Sequence, residues 1–184
     1  MIEFKNVSFS YGEKQILKDF DLKIKKGERL CLFGESGRGK TTVLRLICSL
    51  EKPDSGMVNV ESRNICPVFQ EDRLLPFLTV EENVLLFSDI NNTDYVLEKL
   101  KLKESKNLYP SELSGGMARR TALARALCKN GDIYIFDEPF TGLDTANIAA
   151  ATELINEFTN GKTVVTVLHE KQYAAALNCS VFEM

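Results

Sequence analysis

A chain of 184 residues, 44% hydrophobic and 27% charged, is long enough to bury a substantial core and has the composition of an ordinary globular domain. Its formal charge of −3 gives no electrostatic basis for non-specific binding to nucleic acid. No apolar run approaches the roughly 18 residues of a membrane-spanning helix, so any membrane role has to come through a partner.

In chain order, residues 2–9 and the alternation of Phe20, Leu22 and Ile24 predict half-buried strands. Lys26-Gly27-Glu28 turns the chain into a compact strand over 29–33, which runs directly into Gly34-Glu35-Ser36-Gly37-Arg38-Gly39-Lys40-Thr41-Thr42. Val43, Leu44, Leu46, Ile47 and Leu50 then mark one face of a helix. Pro53-Asp54-Ser55-Gly56 is a turn, followed by short strands over 57–60 and 66–69. Thr79 with Glu82 forms a capping-box pattern for a helix through about residue 87, and a second short helix is expected over 94–102. Residues 71–113 therefore read as a helical insert. Beyond it come a helix over 117–129, a buried strand over 133–136, a helix over 144–159 stopped by Asn160-Gly161, and a buried strand over 164–168. Strands apolar on both faces, alternating with helices, predict a parallel sheet covered on both sides.

Five scattered cysteines, Cys31, Cys48, Cys66, Cys128 and Cys179, have no metal-ligand or redox spacing. Their odd number and the lack of a leader pattern predict a reducing compartment. Cys31 and Cys48 fall in apolar stretches and are expected to be buried thiols.

Two glycine-rich segments carry the chemistry. A strand ending in residues 34–42 and opening a helix is built to cradle phosphate: glycines let successive backbone N–H groups converge, and the helix start adds partial positive charge. Lys40 would reach the β- and γ-phosphates of a nucleotide, and the Thr41 hydroxyl would complete a Mg²⁺ shell. Asp137 and Glu138 close an apolar strand, where parallel sheets present ligand groups. Asp137 is expected to hold Mg²⁺ through water, and Glu138 to polarise the attacking water. Seventy-four residues after Lys40 comes Ser114-Gly115-Gly116, again a hydroxyl and bare N–H groups at a helix start. A helix cap alone explains it poorly, because glycines just inside a helix cost stability without packing anything.

Taken together, Leu113-Ser114-Gly115-Gly116-Met117, the phosphate loop and Ile133-Tyr134-Ile135-Phe136-Asp137-Glu138 resemble the nucleotide-binding subunit of an ATP-binding-cassette (ABC) transporter, over nearly the whole chain. The resemblance implies one ABC ATPase domain over residues 1–184. Its fold would be α/β, a P-loop NTPase (RecA-like) parallel-sheet core with an N-terminal antiparallel β subdomain and a short helical insert. It also implies that Ser114, Gly115 and Gly116 close over ATP bound to a second copy of the chain, in a head-to-tail homodimer.

Asp144 matches a loop crossing that interface, and capping the helix from Thr145 is an equally good role. His169, the only histidine, falls where the family has a γ-phosphate contact, with Leu168 and Glu170 departing from the usual neighbours. Gln70 matches the glutamine linking Mg²⁺ to the insert. Tyr11 matches an aromatic that stacks on adenine, the alternative being a tyrosine that only packs. Residues 69–77, FQEDRLLPF, are similar to importers of nitrate, sulfonate and taurine. The partners so implied are transmembrane permease subunits and a solute-binding protein, and the expected location is cytoplasmic, peripheral on the inner face of the cell membrane. No nucleic-acid partner is expected.

Two other classes stay open. ABC-type ATPases acting on nucleic acid or ribosomes share both glycine motifs but usually carry a coiled coil, a zinc insert or two cassettes. A nucleotide-binding module without catalysis would not need Lys40, Asp137, Glu138 and His169 together. The sequence ends at Met184 inside a predicted strand, before the C-terminal elements usual in the family, so a minimal or a truncated cassette is expected.

Overall fold

The computed structural model describes residues 1–88 and 92–184; residues 89–91, part of the expected insert, lie outside the described residues. From the N-terminus come β1 (Ile2–Tyr11), β2 (Lys14–Ile24), β3 (Arg29–Phe33), α1 (Lys40–Ile47), β4 (Ser55–Val60) and β5 (Ile65–Val68). Helices α2 (Val80–Leu85), α3 (Thr93–Lys99) and α4 (Gly115–Cys128) follow. The chain finishes with β6 (Ile133–Asp137), α5 (Thr145–Phe158), β7 (Thr163–Val167), α6 (Lys171–Ala176) and β8 (Ser180–Glu183). These elements form two compact units, one of residues Met1–Ile65, Asp132–Asp137 and Gly161–Met184, the other of Cys66–Gly131 and Glu138–Asn160.

The first unit holds two sheets. In the antiparallel one, β1 lies between β2 and β4, with Phe4 opposite Leu22 and Ile2 opposite Val60. Ile2, Phe4, Val7 and Phe9 are buried, the inward set of a strand whose register shifts around Asn6. Gly56 is required at that shift, because a Cβ there would stand 2.3 Å from the Asn6 carbonyl oxygen. β2 begins six residues before the alternation at 20–24, since a tight turn at Gly12 pairs Tyr11 directly with Lys14.

The second sheet is parallel. β7 lies between β6 and β3, and β8 flanks β3. Every residue of β6 and β7 is buried, the pattern of strands covered on both faces. Thr166, a polar residue on that buried strand, donates its hydroxyl to the Phe136 carbonyl at 3.0 Å. α1 buries Val43, Leu44, Leu46 and Ile47. Leu50, expected on the same face, is exposed: α1 ends at Ile47, and Ser49 turns left-handed (φ 55°), swinging the chain away. α6 was not foreseen, because six residues with only Ala174 buried leave no apolar period to read.

The second unit is helical. α4 buries Ala122, Leu123, Ala126 and Leu127, and α2, α3 and α5 pack against it. The capping box at α2 forms as read, with Thr79 Oγ1 accepting from Glu82 N (3.3 Å) and Glu82 Oε2 accepting from Thr79 N (2.8 Å). α4 starts at Gly115, two residues before the expected helix, so both glycines of the second motif lie inside it. The unit therefore extends past residues 71–113 to include α4 and α5.

Candidate functional site

In the first unit, register sets the site. Asp137 is the Cα partner of Val167, as is Leu32, so the ends of β3, β6 and β7 share one carboxyl edge. The loop from Gly34 to Lys40 leaves β3 there, Asp137 closes β6, and His169 follows β7 by two residues, exposed to solvent. Gly37 and Gly39 are left-handed (φ 84° and 92°). A Cβ on Gly39 would meet Ile16 Cγ2 at 2.9 Å and Leu17 Cδ2 at 3.0 Å, so glycine alone fits.

Gly39 also caps α1 without a side chain, so nothing in the cap itself covers the first helical N–H groups. Lys40, 7% exposed, donates Nζ to the carbonyls of Gly34 and Glu35, both at 2.8 Å. Glu35, Ser36, Gly37 and Arg38 form the exposed rim, with Arg38 and Glu35 3.8 Å apart in a solvent-screened pair. Thr41 Oγ1 donates to Asp137 Oδ2 at 2.8 Å, while neighbouring Thr42 is buried. Tyr11 ends β1, exposed, edge-on to Phe9 with ring centroids 4.8 Å apart, its hydroxyl 3.5 Å from Glu51 Oε1.

The second unit carries the remaining candidates. Glu138 opens its second segment in a left-handed conformation (φ 52°), and Thr141 Oγ1 donates to its Oε2 at 3.3 Å. Ser114 N-caps α4, accepting from Met117 N at 3.3 Å, and is exposed with Gly115. Gly115 has open space where a Cβ would stand, whereas one on Gly116 would press to 3.0 Å on the Gly142 carbonyl oxygen. Asp144 N-caps α5, accepting from Asn147 N at 2.8 Å and Asn147 Nδ2 at 2.9 Å. Gln70 is exposed just beyond β5.

Three residues that the sequence did not single out organise this unit. Arg119, 4% exposed, donates to the carbonyls of Phe69 (2.6 Å) and Gln70, and lies 3.3 Å from Asp72 Oδ1. Arg125 donates to the carbonyls of Asp72 and Arg73, each at 2.8 Å. Burial pushes the Asp72 carboxyl above the usual carboxylate range, against the pull of both guanidiniums. Asn83, fully buried, accepts from Leu75 N and donates to the carbonyls of Leu75, Leu78 and Thr79. The usable signal was chemical: an arginine or asparagine within an apolar helix stripe must find backbone acceptors.

A strand, a left-handed glycine loop and a lysine at the start of a helix, with a strand-terminal aspartate hydrogen-bonded to the threonine after that lysine, are the features of a phosphate-loop nucleoside triphosphatase. The model of the family described as ABC transporter matches residues 17–141, more than half of the chain, and the chain belongs to that family. It is an ATP-binding, ATP-hydrolysing subunit of the ABC transporter class.

The chain is 34% identical to the arginine transport ATP-binding protein ArtM of Bacillus subtilis, over 95% of this chain and 83% of that protein. It is 39% identical to the aliphatic sulfonates import ATP-binding protein SsuB of Corynebacterium glutamicum, over 91% and 73% respectively. Among solved structures it is similar to the dimeric bacterial ABC transporter cassette MJ0796, with a TM-score of 0.85 and 33% identity, covering 100% of this chain and 94% of that one. A post-hydrolysis dimer of the same cassette, bound to ADP and Pi, matches with a TM-score of 0.83 and 33% identity over 96% and 91% of the two chains. Among the described residues no helix is long and apolar enough to cross a membrane.

Proposed function

We propose that this chain holds ATP at the loop of residues 34–42 and hydrolyses it as one half of a head-to-tail homodimer that drives a membrane permease. The observation that carries this reading is the second helix start. Ser114 and Gly115 are exposed, and no packing constraint asks for glycine at 115. An exposed helix N-terminus with bare N–H groups is a binding surface for phosphate, and α4 is 14 residues long.

Lys40 binds the β- and γ-phosphates, Tyr11 stacks on the base, and His169 contacts the γ-phosphate. Glu138 accepts a proton from water as its oxygen bonds to the γ-phosphorus and the bond to the leaving ADP oxygen breaks. Thr41 and Asp137 fit Mg²⁺, a hard cation that takes one or two protein oxygens and shares the phosphates: their hydroxyl and carboxylate are 2.8 Å apart at the loop. Bound there, Mg²⁺ supplies neutralisation of phosphate charge. Gln70 serves as a further oxygen ligand toward Mg²⁺, Ser114, Gly115 and Gly116 take the γ-phosphate of the second copy's ATP, and Asp144 faces that copy while capping α5.

The permease partner is supported by apolar exposure on the helical unit. Phe77, Leu85, Leu86 and Phe87 are exposed, and the turn carrying Phe77 is held by buried Asn83. The match to a sulfonate importer and the FQEDRLLPF segment support small organic solutes delivered by a solute-binding protein. The location follows, peripheral on the inner face of a membrane.

The test is ATP-dependent association. The Glu138→Gln chain with MgATP is expected to sediment as a dimer, and the further change Gly116→Asp to return it to monomer. A dimer indifferent to ATP or to Gly116→Asp overturns the reading. ATP hydrolysis stimulated by nucleic acid or ribosomes, and not by a copurifying permease, would favour the non-transport class.

A further inference from the structure

Helix α4 begins at the proposed phosphate contact, Ser114-Gly115-Gly116, and within three turns its side chains take hold of the segment carrying Gln70. Arg119 binds the carbonyls of Phe69 and Gln70, and Arg125 those of Asp72 and Arg73. Arg73, left-handed at φ 47°, lies over the Phe69 ring at 5.2 Å and ties the segment to itself. Four consecutive-segment carbonyls are thereby fixed to one rigid helix, while the Gln70 side chain stays exposed.

A buried guanidinium adds little stability over an apolar residue of similar size, because its desolvation offsets most of what its bonds return. What it does supply is position. A planar fork with several N–H donors, charged at all ordinary pH, locks two adjacent carbonyls in a way no aliphatic side chain can. Arg119 stands four residues from Gly115, about 6 Å along the axis. Movement of the α4 start is therefore transmitted to residue 70 with little slack.

We propose that Arg119 is a positioning residue that couples the phosphate-facing start of α4 to the Gln70 loop of the same chain. ATP held by one copy, by pressing on the α4 start of the other, thereby shifts the Gln70 segment of that other copy. The inference rests on the reading of Gln70 and of the α4 start given under the proposed function.

The experiment is a double-mutant cycle on the full chain: Arg119→Gln, Arg119→Lys, Gln70→Ala and Arg119→Gln/Gln70→Ala. Each is assayed for steady-state ATP hydrolysis, for binding of a fluorescent ATP analogue and for thermal midpoint. Arg119→Gln is expected to lower kcat roughly tenfold, with analogue affinity changed less than about twofold, and to flatten any sigmoidal dependence on ATP. Arg119→Lys keeps the charge but loses the fork, and is expected to recover part of the rate. The double variant is expected to hydrolyse no more slowly than Gln70→Ala alone.

Rate losses that multiply in the double variant, or analogue affinity falling as far as kcat, overturn the proposal. Should Arg119→Gln fail to fold, Arg119→Lys takes its place in the cycle with the same two outcomes. Gln70→Ala hydrolysing at the parent rate would instead remove the reading of Gln70 itself, and the coupling with it.

Discussion

Thr41 and Asp137 are 96 residues apart in sequence and share a 2.8 Å hydrogen bond, hydroxyl to carboxylate, between the first turn of α1 and the end of β6. The bond fixes both oxygens before any ligand arrives, so binding need not order them. Asp137→Asn keeps an acceptor for Thr41 while removing the charge. Its thermal midpoint is expected to stay close to the parent value, whereas the Mg²⁺ concentration for half-maximal ATP hydrolysis rises at least about tenfold. A magnesium titration of the ATPase checks this.

Glu138→Gln is nearly isosteric and removes only the basicity. A positioned general base contributes about 10²–10⁴-fold, so kcat is expected to fall by that factor while ATP affinity is kept. Single-turnover hydrolysis and equilibrium binding, measured side by side, separate the two. Hydrolysis near the parent rate would displace Glu138 from the role.

Gly39→Ala puts a Cβ against Ile16 and Leu17 in a residue held at φ 92°. The left-handed conformation alone costs a non-glycine residue about 1–2 kcal/mol, and relief can come only by opening the loop around Lys40. Loss of analogue binding is expected, together with a lowered thermal midpoint.

Asp144→Ala removes the cap of α5 and is expected to cost about 1 kcal/mol in denaturant unfolding. Asp144→Asn keeps the cap and removes the charge. If Asp144 also faces the second copy, the asparagine variant retains stability but dimerises more weakly with MgATP, as sedimentation would report.

Burial pushes the Cys31 thiol up to about 11 and the Cys48 thiol up to about 12. Both are expected to resist alkylation at pH 8 in the folded chain and to react on unfolding. Raised in the fold, they hold their protons more tightly than in the unfolded chain. Their stabilisation is complete below the ordinary value of 9.0 and is lost as pH climbs through about 11 to 12, which chemical denaturation across that range would follow.

Most strands and helices could be read from the chain, because burial imposes a period. β3 and β6 are short and apolar but for Arg29 at the start of one and Asp137 at the end of the other, and α2 announces itself by Thr79 and Glu82. Where local signal and tertiary context part, reading failed. Leu50 continues the apolar face of α1 in sequence but not in space, since Ser49 breaks the helix. α6 buries one alanine and has no pattern at all.

For the candidate site, the placement of the glycine loop before α1 and of Asp137 at the end of β6 was legible, because a strand running into a glycine-rich turn and a helix leaves a local pattern. Arg119, Arg125 and Asn83 were not. Most of their partners are backbone groups, which leave no trace in the identity of the residues they belong to.

Glu138 occupies a backbone geometry better suited to glycine or asparagine than to glutamate. Selecting variants of this chain for heat resistance alone should therefore drift toward those smaller residues at 138, yielding a sturdier protein with no turnover. With Glu138 as the proposed base, durability and catalysis would make opposing demands on a single position.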